Sequence, residues 1–366
     1  MVALGIAPRG HGVLKTYELS KGDLKEVQNK QWANGFKCGT FGASSIENRS
    51  LATGDYKGRL NIWDMERLDK PIFDVQAHDK IVNCIDGCGG LDIGNGAPEL
   101  VTGSRDGTVR VWDPRVAQPV VSLEPDEKEG ARDCWTVSFG NSYNDEERVI
   151  AAGYDNGDIK MFDLRTNSIR WESNVGNGVV GLEFDRKDIE MNKLVVTTLE
   201  SRFRVFDLRT QHAEDGFAHV SEKAHKATVW LSRHLPQNRD VWMTGGGNGG
   251  FNLYTYHYPK KRTATHKDNT PVGVPGTIEL LNSRVISTQP IVSFDWSPDK
   301  EGLAVMGILD QTVRVWDTSG LRKKSAGGMS RGGGMGARSG SMGGPGGAGQ
   351  QGDLFGSSDA VVKYVL

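Results

Sequence analysis

The sequence predicts an all-β chain built as a seven-bladed β-propeller, and three observations carry that prediction. A short motif recurs along the chain, its copies follow a four-strand period, and its turns are of the hairpin type. The motif is clearest at Thr102-Gly103-Ser104-Arg105-Asp106-Gly107-Thr108-Val109-Arg110-Val111-Trp112-Asp113. It reads as a strand end, an Asp-Gly hairpin turn and an alternating strand that ends on an aromatic residue. The frame returns at Thr53-Gly54 before Arg59 to Asp64, at Asn156-Gly157 before Ile159 to Asp163, and at Phe203 to Asp207. Further copies lie at Asn248-Gly249 before Phe251 to Tyr254 and at Asp310 to Asp317; Gly12 to Glu18 is a degenerate first copy. The closing aromatics fall at residues 17, 63, 112, 162, 206, 254 and 316, with spacings of 46, 49, 50, 44, 48 and 62. That period suits four short strands per unit, and alternation with a tight turn in each unit excludes helical solenoids. Seven such units close radially.

Composition agrees with a turn-rich body. Glycine supplies 48 of 366 residues, or 13%, against a usual level of about 7%. Fourteen of them fall in residues 321–366, and no Gly-x-y period supports collagen. The formal charge of −2 averages two unlike parts. The segment 321–366 carries six basic and two acidic residues, +4, so the body carries −6. A negative body disfavours nucleic acid as a partner. The apolar run Leu303 to Leu309 is far too short to span a membrane. Met1 to Gly10 has neither the basic region nor the apolar length of a secretory signal. The expectation is therefore a cytoplasmic protein whose Cys38, Cys84, Cys88 and Cys134 stay reduced and whose sequon at Asn48 goes unused.

The Trp-Asp endings, and the His that opens some units, resemble WD repeats. In that family a His, a Ser or Thr, an Asp and a Trp form a hydrogen-bonded tetrad inside the blade. The matching residues are His78, Thr102, Asp106 and Trp112; a weaker match is His225, Thr244, Asn248 and Tyr254. A buried indole N–H and a turn carboxylate both need partners, so such a set reads as structural rather than catalytic.

A closer resemblance covers about residues 1–318. It is carried by KCGTFGASS (37–45), VTGSRDGTVRVWDPR (101–115), RDCWTVSFGNSYNDEERV (132–149) and LEFDRKDIEMNKLV (182–195). SEKAHKATVW (221–230), RHLPQN (233–238) and STQPIVSFDWSPDK (287–300) extend it. These runs include loop residues outside the repeat pattern, and they resemble the Monad family of WD-repeat factors for axonemal dynein preassembly. The resemblance implies a non-enzymatic, cofactor-free co-chaperone adaptor, a monomer within a larger complex, working in the cytoplasm or in dynein-assembly foci of ciliated cells. Implied partners are R2TP-type AAA+ ATPases and their TPR scaffold, prefoldin-like subunits and axonemal dynein heavy chains.

Two features depart from a regular ring. Residues 1–320 form the propeller, but Val2 to Gly5 serve as a second strand, so the first blade lacks its first. The last blade has no obvious fourth strand before the Gly/Ser/Met/Arg-rich linker at 321–358. The strand-like run 359–366 is the expected replacement, favouring the outer edge of the last blade; binding to a partner is the alternative.

Candidate partner residues gather at the face of the Asp-Gly turns: Tyr56, Arg105 and Asp155 beside the turns, Trp135 and Trp230 in equivalent slots of two first strands. Exposed Trp, Tyr and Arg are frequent interface anchors. Insertions at Gly87 to Glu99, Gly140 to Arg148, Asp185 to Lys193 and the basic Pro259 to Pro275 project from the opposite face.

Other chemistry weighs less. Gly245-x-Gly247-x-x-Gly250 matches a dinucleotide fingerprint but leads into a strand rather than a helix, so it reads as a turn. Cys84-x-x-x-Cys88 lies near His78, which the tetrad already engages, so no metal site is expected. Arg331 and Arg338 sit in short glycine contexts that suit a linker better than an RNA contact. Asp113-Pro114-Arg115, Asp163-Leu164-Arg165 and Asp207-Leu208-Arg209 resemble the docking box of cullin-RING ligase receptors. That gives an alternative function, with Asp113, Arg115, Asp163 and Arg165 at its centre.

Overall fold

Period-two alternation and tight turns become, in the computed structural model, a ring of antiparallel sheets. The structure describes residues 1–318, apart from 21, 46, 48, 91–97, 127–129 and 141–147, together with the backbone of Ala360–Lys363. The linker at 321–358 and the ends of the run 359–366 lie outside the described residues, as do the centres of the insertions after Gly87 and Gly140.

The chain is a seven-bladed β-propeller with no α-helix among the described residues. Blade 1 has three strands, Val2–Ile6, Gly12–Ser20 and Asp23–Trp32, and blades 2 to 7 have four each. The innermost strands of blades 2 to 7 are Phe36–Thr40, Val82–Cys88, Cys134–Gly140, Val179–Phe184, Val229–Leu235 and Ile291–Trp296. Each packs against the next around the ring. The fourth strand of blade 7 is Ala360–Lys363, antiparallel to Thr312–Asp317 and beside Asp23–Trp32 of blade 1.

Second strands, wedged between neighbouring blades, are buried almost throughout, as in Val149–Tyr154 and Lys193–Thr198. Fourth strands on the rim, such as Ser168–Asn174, alternate toward solvent. Six apolar clusters fill the junctions from blades 1 and 2 through to blades 6 and 7. Trp63 with Phe36 seals the first of these, and Phe251 with Phe294 and Trp316 the last. Removing such area from water contributes about 25 cal/mol per Å².

The insertion Pro259 to Pro275 forms its own small hairpin, Thr263–Thr265 with Pro271–Gly273. It packs on Arg202–His212 of blade 5. The Thr and Pro residues of the insertion carry no clear strand signal.

Candidate functional site

In blade 3 the polar residues of the repeat meet inside the sheet. Trp112 Nε1 donates to Thr102 Oγ1 at 2.9 Å, and His78 Nε2 lies 2.7 Å from the same oxygen. His78 Nδ1 is 2.7 Å from Thr108 Oγ1, whose hydroxyl donates to Asp106 Oδ1 at 2.7 Å. Asp106 also accepts the amides of Thr108 and Asp79, both at 2.9 Å. Burial alone would raise the Asp106 carboxyl, but the bonds from His78 and Thr108 outweigh it and hold it well below the usual carboxylate range. Thr108 is the relay between ring and turn, and the sequence pattern did not flag it.

Blade 6 is a partial copy. His225 Nε2 lies 2.9 Å from Thr244 Oγ1, and Asn252 donates to the Tyr254 hydroxyl at 3.0 Å. Asn248, expected as the fourth member, is not joined: its Oδ1 is buried without a hydrogen-bond partner among the described residues. The residue matching Thr108 here is Gly250, which has no hydroxyl to bridge the ring to the turn. Burial then dominates, and the His225 imidazole is pushed down to about 4.

Blades 2 and 7 carry braces that sequence reasoning missed because neither begins with His. In blade 2, Trp63 donates to Thr53 at 2.9 Å while Asn34 donates to Asp55 at 2.9 Å. In blade 7, Ser287 donates to Asp310 at 2.8 Å.

These braces hold the turns, and the turns present the candidate surface. The residue ahead of each turn donates its backbone N–H to a carbonyl at the start of the innermost strand. Tyr56 does so to Gly35, Arg105 to Ile81, Asp155 to Asp133, Leu199 to Gly178, Gly247 to Thr228 and Leu309 to Pro290, at 2.8 to 3.1 Å. Every innermost strand of blades 2 to 7 also shifts register across its second residue, a β-bulge. Bulges re-aim side chains. The bulged residues are Lys37, Asn83, Trp135, Val180, Trp230 and Val292, which is why the two tryptophans occupy equivalent slots.

Tyr56 and Arg105 line a cleft of about 440 Å³ with Lys57, Asp79, Lys80 and Ile81. Trp230 is 37% exposed, its indole nitrogen beside Gly247. Trp135 is half-buried and flanks Gly178 together with Leu199. Asp155 is also half-buried, with Oδ1 enclosed, so it offers less to a partner than its slot suggested. Leu199, Val292 and Leu309 are exposed in the same two sets of slots and were missed, because an isolated aliphatic residue at a turn carries no sequence signal.

On the opposite face, Asp185 and Lys193 anchor an insertion through buried charges. Lys193 Nζ sits 2.7 Å from Asp240 and 3.3 Å from Asp185, which Arg239 also meets at 2.7 Å. Burial alone would lower the Lys193 ammonium, but these carboxylates outweigh it and keep it above its ordinary value. Near the strand ends, Arg115 closes on its own Asp113 at 2.5 Å. Arg209 pairs with Asp207 and lies 4.3 Å over the Tyr258 ring, whereas Arg165 bonds Asp163 through its backbone amide. The segment around Gly245, Gly247 and Gly250 turns directly between two strands of blade 6. Cys84 and Cys38 are thiols that burial pushes up, Cys38 to about 12.

Repeated braces, bulges and turns of this kind define a WD-repeat propeller. Residues 69–113 match the family model of the WD domain, G-beta repeat. At 14% identity the chain also superposes on the crystal structure of the computationally designed Ika8 protein, with a TM-score of 0.55 over 86% of this chain and 80% of that one, a likeness of fold alone. Among natural proteins it is 57% identical over 323 residues to dynein axonemal assembly factor 10 of Xenopus tropicalis, covering 88% of this chain and 90% of that protein. The protein of the same name from Chlamydomonas reinhardtii is 56% identical over 88% and 90% of the two chains. The Dictyostelium discoideum protein is 25% identical over 80% of each. The chain belongs to the dynein axonemal assembly factor 10 family.

Proposed function

We propose that this protein is a non-catalytic scaffold that acts, as a co-chaperone adaptor, in the cytoplasmic preassembly of axonemal dynein arms. The observation that carries the reading is the near-full-length likeness, above 55% identity, to assembly factors of a frog and an alga. A rigid disc with a backbone-fixed ring of variable side chains supports it physically, since such a surface binds proteins without any reacting group. The proposed partners are R2TP-type ATPases with their TPR scaffold, prefoldin-like subunits and dynein heavy chains. They meet the turn face at Tyr56, Arg105 and Trp230.

The test is recovery of these partners from ciliated cells with an Arg105→Glu/Trp230→Ala variant that circular dichroism shows to be folded. Recovery should fall at least about tenfold, as expected when two anchors are lost. Undiminished recovery sinks the turn-face assignment. Loss of the gene should remove dynein arms and leave other axonemal parts in place; normal arms would overturn the assembly role itself. If ligase subunits are recovered instead, and are lost on Arg115→Ala/Arg165→Ala, the receptor alternative takes its place.

A further inference from the structure

The hairpin of the blade 6 insertion meets the turn between the third and fourth strands of blade 5, and two imidazoles and two carboxylates converge at the seam. The His212 and His266 rings lie 4.6 Å apart between centroids. Asp215 Oδ2 stands 3.8 Å from His212 Nδ1 and 3.4 Å from His266 Nε2. His212, Asp215 and His266 can each offer a ligand atom such that the three atoms lie within 4.8 Å of one another.

The surrounding hydrogen bonds fix which nitrogens carry protons. His212 Nδ1 accepts the backbone amides of Glu214 and Asp215 at 3.2 and 3.1 Å, so it bears a lone pair. Its Nε2–H then donates to Thr270 Oγ1 at 2.7 Å, and that hydroxyl donates to Asp268. His266 Nδ1 faces Asp268 Oδ1 at 3.0 Å and donates to it, which in the neutral ring leaves the lone pair on Nε2. Two ring nitrogens able to act as ligands and a carboxylate oxygen therefore gather at one place. Where the His266 Nε2 lone pair faces Asp215 Oδ2 across 3.4 Å, the two repel unless a cation lies between them.

We propose that His212 Nδ1, His266 Nε2 and Asp215 Oδ2 bind a divalent transition-metal ion of the zinc type. Zinc bonds of about 2.0–2.2 Å to nitrogen and oxygen put neighbouring tetrahedral ligands about 3.3 Å apart. The separations at Asp215 approach that value, and small side-chain rotations close the remainder. Imidazole with carboxylate suits zinc, nickel or copper rather than magnesium. Asp268 and Thr270 occupy the places of orienting groups, each bonded to the far nitrogen of one ligand ring. On binding, the ion displaces the two long amide bonds at His212 Nδ1; Glu214 and Asp215 are exposed, so water can take those amides. Three protein ligands leave a fourth position for water or for a side chain of a partner. The ion would staple an insertion of blade 6 to the rim of blade 5.

The experiment uses the full chain, free of any affinity tag and stripped with a chelator, titrated with Zn²⁺ against a chromophoric competitor. Co²⁺ serves as a spectroscopic stand-in. One ion should bind per chain, raise the melting temperature and give the absorption of a nitrogen and oxygen site. His266→Gln and Asp215→Asn, both in exposed or half-exposed positions, should each weaken binding at least about 100-fold, and Asp268→Asn about 10–100-fold. His257→Gln, a histidine outside the cluster, should leave it unchanged. Absence of stoichiometric uptake overturns the proposal, as does uptake that His266→Gln and Asp215→Asn leave intact.

Discussion

Blades 3 and 6 start from the same pattern, a histidine, a threonine, a turn residue and an aromatic, yet only blade 3 completes the circuit. The difference rests on Thr108 against Gly250. With the hydroxyl, the histidine ring, the turn carboxylate and the indole form one continuous network; without it, blade 6 keeps a histidine–threonine contact beside an amide oxygen that bonds nothing described. A polar network of this kind is worth most when every member is satisfied. One intervening hydroxyl, not the four named residues, decides whether that happens.

The largest effect should come from cutting the hub of each network. Thr102→Val removes the shared oxygen of Trp112 and His78 and strands two buried groups, costing about 2–4 kcal/mol. Thr244→Val should cost about 1–2 kcal/mol, because the Tyr254 hydroxyl keeps Asn252. Urea unfolding of both variants measures the gap, and equal losses would remove the distinction between the blades.

Acid should separate the two blades next. His225 has its folded value near 4 against an ordinary 6.5, so between those limits the unfolded chain takes up a proton that the folded blade refuses. Stability is therefore full above about pH 6.5 and declines as pH falls toward 4, by up to about 3 kcal/mol. Asp106 loses stability in the same direction but in a lower window, since a depressed carboxylate stabilises above its ordinary value of 3.8 and yields only below it. Hydrogen exchange at pH 5 should quicken in 241–257 before 99–113, and His225→Asn should flatten the profile. Simultaneous loosening would break the comparison.

A weaker push comes from the neighbouring blade. The strand Ala360–Lys363 pairs with Thr312–Asp317, and blade 7 shares the Phe251, Phe294 and Trp316 cluster with blade 6. Deleting residues 356–366 should cost about 1–3 kcal/mol, at about 1 kcal/mol per net hydrogen bond. It should speed exchange at 312–316, then in blade 6, and scarcely in blade 3. Unchanged exchange at 312–316 would place the closing strand elsewhere. Asn248→Ala should do least, within about 0.5 kcal/mol, because its oxygen bonds nothing described. A loss above 1 kcal/mol in the thermal melt would make the turn amide a working member of the blade 6 brace.

What could be read from the residues alone follows the same line. Blade number and turn positions were legible because the Asp-Gly and Asn-Gly turns and the closing aromatics repeat in register. The His78 set was legible because Thr102, Asp106 and Trp112 keep the spacing of the repeat and a histidine opens the unit. Thr108 was not, since a threonine after a turn is unremarkable until the histidine ring is seen beside it. Asn34 and Ser287 hid for the opposite reason: they perform a histidine's task with a different side chain. The bulges at Trp135 and Trp230 are a backbone property, invisible in residue type. His212 and His266 stand far apart in the chain, and only the packing of an insertion with no strand signal brings them together.

The six backbone bonds that fasten the pre-turn residues, Tyr56 through Leu309, have a consequence for how the surface can change over time. They run from main chain to main chain, so each side chain at those positions can be exchanged without altering the frame that carries it. Tyrosine, arginine, aspartate, leucine and glycine already occupy the same geometric position in one molecule. Selection for a new partner can therefore rewrite that ring one residue at a time, while the selection that keeps the disc folded acts on other residues altogether.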